Sequence, residues 1–213
     1  MAPRTQPRKT PRQERSRLTV DAILEAAAHV FERHGYASGT TNRIAERAGV
    51  SIGSLYQYFP NKDAILVALV ERHLDDGVAA AGPVLERLVT DPPPLEEGLR
   101  GLVEAMVALH RERPGLHRVL FEEAPRPPAL RRRLDGMTAD ARAVVAAFLR
   151  ERGAARDPDL AARLVVQVIE TVTHEVVLRP GDVPVEAYVD ETVALLVGYV
   201  TRDTGVSSVT PEA

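Results

Sequence analysis

The feature that most restricts this chain is the spacing of its apolar residues. They recur every three or four positions and are interrupted by proline and glycine, with no convincing alternation of apolar and polar residues between turn signals. Leu18, Ile23, Leu24, Ala27 and Phe31 share one helical face, and His34-Gly35 closes that run. A short helix over 42–48 turns Ile44, Ala45 and Ala48 inward. Gly49 stands where a left-handed C-cap belongs, and Ser51 is placed to cap a helix over 52–59. Pro60-Asn61 ends that helix and Asn61 caps the next, beginning at Lys62. Further helical segments are expected over 62–81, 83–90, 95–112, 115–123, 128–152, 158–179 and 185–203, divided by Gly82-Pro83, Pro92-Pro93-Pro94, Pro114, Pro125–Pro128, Gly153, Asp157-Pro158 and Pro180-Gly181. The fold class is all-α, with nine or ten helices and no repeat at solenoid period.

Charge is distributed unevenly. Residues 1–62 carry ten Lys or Arg against five acids, a local +5, within a chain whose formal net charge is −3. A basic end on an acidic body points to an anionic partner, with nucleic acid first; a solvated basic tail explains the same charge without a partner. Residues 1–15 and 205–213 are expected to be disordered tails. The chain has no Cys, which excludes a disulfide framework and Cys-ligated metal, and a reducing cytoplasmic setting is expected. In the C-terminal half the longest uncharged run, Thr192–Thr201, is far too short to span a bilayer, and no apolar run follows Met1.

The residues from Thr40 to Phe59 have the layout of a helix-turn-helix: short helix, turn with Gly49, second helix. Ala45 is small where two helices cross, and Val50 and Leu55 fill the wedge between them. A second helix held this way presents its N-terminal residues to base edges in a major groove. Ile52, Gly53, Ser54 and Gln57 are the expected base readers. Gln57 suits adenine, Ile52 a thymine methyl, and Gly53 lets the backbone come close. The hydroxyls of Thr40 and Thr41, together with Tyr58 and Lys62, are the expected phosphate contacts. Tyr56 either touches DNA or packs inward, and Asn42, Arg43 and the tail arginines are secondary candidates for the backbone or a flanking groove.

At these residues the sequence is similar to the TetR family of bacterial transcriptional regulators. The resemblance runs from about Arg17 to Leu69 and is carried by Ile23-Leu24-x-Ala26-Ala27, Phe31, Gly35-Tyr36, Thr40-Thr41, Ile44-Ala45-x-x-Ala48-Gly49-Val50-Ser51, Gly53-x-Leu55-Tyr56-x-Tyr58-Phe59 and Lys62-x-x-x-Leu66. Asn42 and Tyr58 depart from the residues common in the family. The resemblance implies DNA contacts from Thr40, Thr41, Ile52, Gly53, Ser54, Tyr56, Gln57, Tyr58 and Lys62. It also implies a three-helix DNA-binding domain over 16–66 and a helical ligand-binding and dimerisation domain over 67–204. The wide apolar stripes on the last two helices fit either a buried core or a homodimer seam. The family implies the seam, through Leu164, Val168, Val172, Val189, Val193, Leu196 and Val200. Polar residues on otherwise apolar helices (His110, His117, Gln167, Glu170, Thr171 and His174) are the candidates for a small-molecule pocket.

The expected function is therefore a ligand-responsive, sequence-specific regulator, foremost a repressor released from a palindromic operator by an inducer. No cofactor and no membrane partner are expected. A DNA-binding protein with no ligand is the alternative, although about 140 residues beyond the DNA-binding segment exceed what dimerisation needs. An all-helical enzyme is a weaker one. No His-Glu-x-x-His, no helical Glu-x-x-His, no Gly-rich phosphate loop and no Gly-x-Ser-x-Gly occurs, and Glu170 with His174 is only a weak acid–base pair.

Overall fold

The computed structural model describes residues 14–111, 113–178 and 183–202. The described residues form helices and no strand. These are α1 (Glu14–Ser38), α2 (Thr41–Arg47), α3 (Ile52–Tyr58), α4 (Lys62–Thr90), α5 (Leu95–Arg111), α6 (Pro114–Arg118) running into a π-turn (Val119–Glu123), α7 (Pro128–Glu151), α8 (Pro158–Leu178) and α9 (Val185–Thr201). Residues 1–13 of the expected N-terminal tail and all of 205–213 lie outside the described residues; Glu14 and Arg15 already belong to α1.

Two compact units emerge. Among the described residues, the first takes those up to Asp76 together with Arg113–Arg131, and the second takes those from Gly77 to Arg111 and from Arg132 onward. The sequence division at 66/67 thus falls a few turns early in α4. It also leaves α6 on the wrong side, because α6 is distant in sequence yet packs on α1. That packing is readable in detail. Arg113 donates to Glu25 at 3.1 Å and to Glu32 at 3.4 Å, and a Cβ on Gly115 would meet Glu32 Cγ at 3.1 Å.

In the first unit, α1 packs on α2 and α2 on α3, and Ile23, Ala27 and Phe31 of α1, Ile44 of α2, Leu55 of α3 and Ile65, Leu66 and Leu69 of α4 are buried. Leu18, expected on that face, is 65% exposed because it precedes the packed turns. Gly35 has φ +70° and kinks the end of α1, a backbone conformation that side chains with a Cβ disfavour.

The second unit is built by α5 packing on α8 and α9. Leu99, Val103, Phe148, Leu149, Val165, Ile169, Val193 and Leu196 form its core. Gly98 is required by contact, since a Cβ there would meet Phe148 Cζ at 2.6 Å. The expected break at Gly82-Pro83 does not occur, and α4 continues through Pro83 to Thr90. A proline inside a helix loses one backbone bond and costs on the order of 3 kcal/mol. Burial of Leu88, 1% exposed one turn beyond, offsets part of that cost.

Candidate nucleic-acid interface

The α2–α3 pair is held by its own backbone and caps. Thr40 caps α2, its Oγ accepting from Arg43 N at 3.3 Å. Gly49 has φ +67° with open space around its Cβ direction, so backbone conformation alone calls for glycine. Val50 N then donates to Ala45 O at 3.0 Å, closing the turn. Ser51 caps α3 by accepting from Ser54 N at 3.0 Å. Ala45 and Leu55 are 3% and 0% exposed, filling the crossing as the spacing requires.

What remains outward is one face of α3. Ile52 and Tyr56, one turn apart on α3, are each 39% exposed. Gly53 and Gln57 are exposed beside them. A Cβ on Gly53 would meet nothing nearer than Ser51 Oγ at 3.8 Å. No packing within the chain calls for glycine there.

The polar residues divide more finely than their spacing suggests. Thr41 Oγ and Tyr56 Oη lie 3.1 Å apart, linking the start of α2 to the middle of α3. Ser54 is half-buried and its hydroxyl is bonded to Ser51 Oγ at 2.8 Å, so it helps to seal the cap. Tyr58 is half-buried near the end of α3. Thr40 is exposed, and its hydroxyl hydrogen is available to a phosphate while its oxygen caps the helix.

Lys62 departs furthest from the expectation of a reaching phosphate donor. Its Nζ donates to Tyr36 O at 2.6 Å and Ala37 O at 3.4 Å, and sits 4.0 Å from the centre of the Tyr36 ring. The ammonium therefore satisfies carbonyls at the end of α1, a region where a helix leaves acceptors unpaired. Tyr36 in turn donates its hydroxyl to Asp63. Burial, then that hydrogen bond, holds the Tyr36 hydroxyl well above its usual titration range. In the sequence Gly35-Tyr36 and Lys62 stand as separate motifs. The lock they form with Asp63 depends on the kink at Gly35, which spacing does not display.

Of the residues expected to line a pocket, His117 lies in the first unit, and His110, Gln167, Glu170, Thr171 and His174 lie in the second. His117 belongs to the first unit, buried, with its ring 5.1 Å from that of His73. In the second unit His110 is 2% exposed and its Nδ1–H donates to Met106 O at 2.6 Å. Its ring stands edge-on to His174 at 5.3 Å. Glu170 lies one turn before His174 on α8, and burial raises its carboxyl pKa, opposed by Arg142. Gln167 and Thr171 are exposed and bond to each other at 3.4 Å on the outer side of α8.

The expected seam residues also separate. Val189, Val193, Leu196 and Val200 are at most 8% exposed within one chain and belong to the core of the second unit, so they have little surface left for a partner. Val168 and Val172 are half-buried. Leu164 is 42% exposed, and it lies on the outer side of α8 with Leu160 at 52%; Leu195 of α9 is 59% exposed.

A capped and turned helix pair with an exposed face on its second helix is a helix-turn-helix, the motif of DNA-binding regulators. The profile of the bacterial regulatory proteins of the tetR family matches residues 23–69, and that of the tetracyclin repressor-like C-terminal domain matches residues 94–199. The chain belongs to the TetR family. It is similar to the HTH-type transcriptional activator FasR of Mycolicibacterium smegmatis, 35% identical over 114 residues that cover 54% of this chain and 48% of that protein. The chain spans about half the length of the curated relatives it matches. Among solved structures it resembles NalD, the secondary repressor of the MexAB-OprM multidrug efflux pump in Pseudomonas aeruginosa. The TM-score is 0.68 at 21% identity, covering 90% of this chain and 100% of that one. FadR of Bacillus subtilis in complex with stearoyl-CoA aligns with TM-score 0.63 at 22% identity, covering 83% and 97%.

Proposed function

We propose that the chain is a homodimeric, ligand-responsive DNA-binding regulator that reads a two-fold symmetric operator through α3. The observation that carries this reading is Gly53. It sits in the first turn of an outward helix, flanked by exposed Ile52, Tyr56 and Gln57. No atom of the chain occupies the space where its Cβ would stand. A glycine costs a helix roughly 0.8–1 kcal/mol against alanine, and close approach by DNA backbone or bases gives it a use.

Ile52, Gly53 and Gln57 are the base readers in this reading. Thr40, Thr41, Tyr56 and Tyr58 position the phosphates, and Ser54 and Lys62 set the geometry of the helices that carry them. The second copy docks on the outer surface of α8 and α9, where Leu160, Leu164 and Leu195 are exposed. A small molecule bound in the second unit shifts the balance between two spacings of the reading helices, by no more than its difference in affinity for them. Release from the operator on ligand binding, and hence repression, is the regulatory sense adopted. The relatives are named as regulators of both signs, and no catalytic role is assigned. No helix among the described residues is long and apolar enough to cross a membrane.

Selection of bound duplexes from a randomised pool tests this directly. The expected result is a motif with two-fold symmetry. Failure to enrich any sequence at low salt with folded protein overturns the reading.

A further inference from the structure

The second unit contains a cleft of about 550 Å³ between α5 and α9. It contains none of the polar residues that the sequence offered as a pocket. Val107, Ala108, Val185 and Val189 give it an apolar floor. Arg100, Glu104, Arg111, Glu186 and Asp190 supply its charges. Ligand sites commonly occupy roughly 300–1,000 Å³ and combine apolar walls with a few placed polar groups.

The charges in this cleft are arranged as two bridges and a remainder. Arg100 donates to Asp190 at 2.7 Å and Arg111 to Glu186 at 3.3 Å, each joining α5 to α9. Both arginines are thus neutralised by α9. Glu104 lies between them on α5, one turn from Arg100, and is exposed. Glu96 approaches Arg100 from its other side at 3.8 Å. With two arginines against three carboxylates in the lining, the cleft has a net formal charge of −1 over an apolar floor. The negative field is visible in Arg100, whose pKa is raised chiefly by the Asp190 hydrogen bond, with Glu104 and Glu96 adding to it.

The geometry points to the α5–α9 cleft as a binding site for a lipophilic organic monocation, its apolar body on the valine floor and its charge beside Glu104. This assignment rests on the reading of the second unit as ligand-responsive, and it gives that response a place and a ligand class. An anionic amphiphile would have to displace Asp190 or Glu186 from an arginine and face Glu104 as well. A cation needs neither bridge broken, and an added carboxylate partner beside the apolar floor increases its affinity without new packing.

Calorimetric titration of the full chain with decyltrimethylammonium, decanoate and decanol, all below micelle formation, tests the assignment. Decyltrimethylammonium is expected to bind about tenfold tighter than the other two. Glu104→Gln is expected to weaken it about fivefold, the scale of one partly exposed charge pair. Glu104 is exposed, so this variant keeps the fold. Preference for decanoate or decanol overturns the ligand class. Loss of binding in Glu170→Gln but not in Glu104→Gln moves the ligand to the His110–His174 region and overturns the cleft. No binding of any probe overturns it as well. Tight, Glu104-dependent binding that fails to release the selected duplex leaves the cleft standing and overturns the ligand-release reading instead.

Discussion

Gly53 and Lys62 carry opposite lessons about how a single residue reports its role. Gly53 has room around it and no need of glycine within the chain. Gly53→Ala is therefore expected to stabilise the protein by roughly 0.5–1 kcal/mol while lowering affinity for the selected duplex. Thermal unfolding and a titration on one sample check both signs. Lys62 has its ammonium on the carbonyls of Tyr36 and Ala37. Lys62→Met is expected to cost about 1.5–3 kcal/mol of stability, the range for hydrogen bonds to charged groups, with the salt dependence of DNA binding unchanged. A salt slope lowered by nearly one unit would show that Lys62 neutralises a phosphate after all. Glu170 reports through pH. Its carboxyl pKa is raised in the folded chain, so the folded state holds that proton more strongly. Stability falls as pH rises from the unfolded pKa through the folded one. Glu170→Gln is expected to raise the melting temperature at pH 7, with the gain disappearing below about pH 4, where both states of the wild type are protonated.

At the scale of elements, the helices themselves were legible because apolar spacing, caps and glycine turns are local signals. The prediction of 185–203 against the observed Val185–Thr201, and of 128–152 against Pro128–Glu151, shows how closely punctuation marks an end. The predicted break at Pro83 failed for a complementary reason. A proline removes one backbone bond, and whether the helix stops there depends on packing that local sequence does not contain. Placement of α6 was illegible for the same reason. Its attachment to α1 runs through Arg113, Glu25 and Glu32, residues more than 80 positions apart whose side chains read as ordinary surface charge. Arg113→Ala is expected to cost about 0.5–1 kcal/mol, since these groups are partly exposed. The loss should shrink at high salt. Urea unfolding at two salt concentrations measures it.

For the whole molecule, the wide stripes on α8 and α9 were readable, but which side of each stripe faces the core was not. A stripe broad enough for two surfaces gives no sign of their order. The chain buries Val193 and Leu196 in its own core and leaves Leu164 and Leu195 outside. The candidate DNA face was more legible, because the turn at Gly49 fixes which residues of α3 point outward. The two leucine positions separate assembly from folding. Leu164→Glu is expected to shift the protein from dimer to monomer in sedimentation with little loss of helicity. Leu196→Ala is expected to cost about 2–5 kcal/mol of unfolding free energy, the usual range for a fully buried leucine. A Leu164→Glu protein that still sediments as a dimer would place the seam elsewhere.

The caps of α2 and α3 close on atoms of the chain itself: Thr40 on Arg43, Ser51 on Ser54, Val50 on Ala45. Recognition can therefore proceed as docking of a shape already formed. The heat-capacity change on binding should then follow the surface covered, without the large excess that accompanies coupled folding. The rate of encounter should be governed by diffusion and by the field of the basic residues, since no segment of the reading head has to wait for its partner before taking up its form.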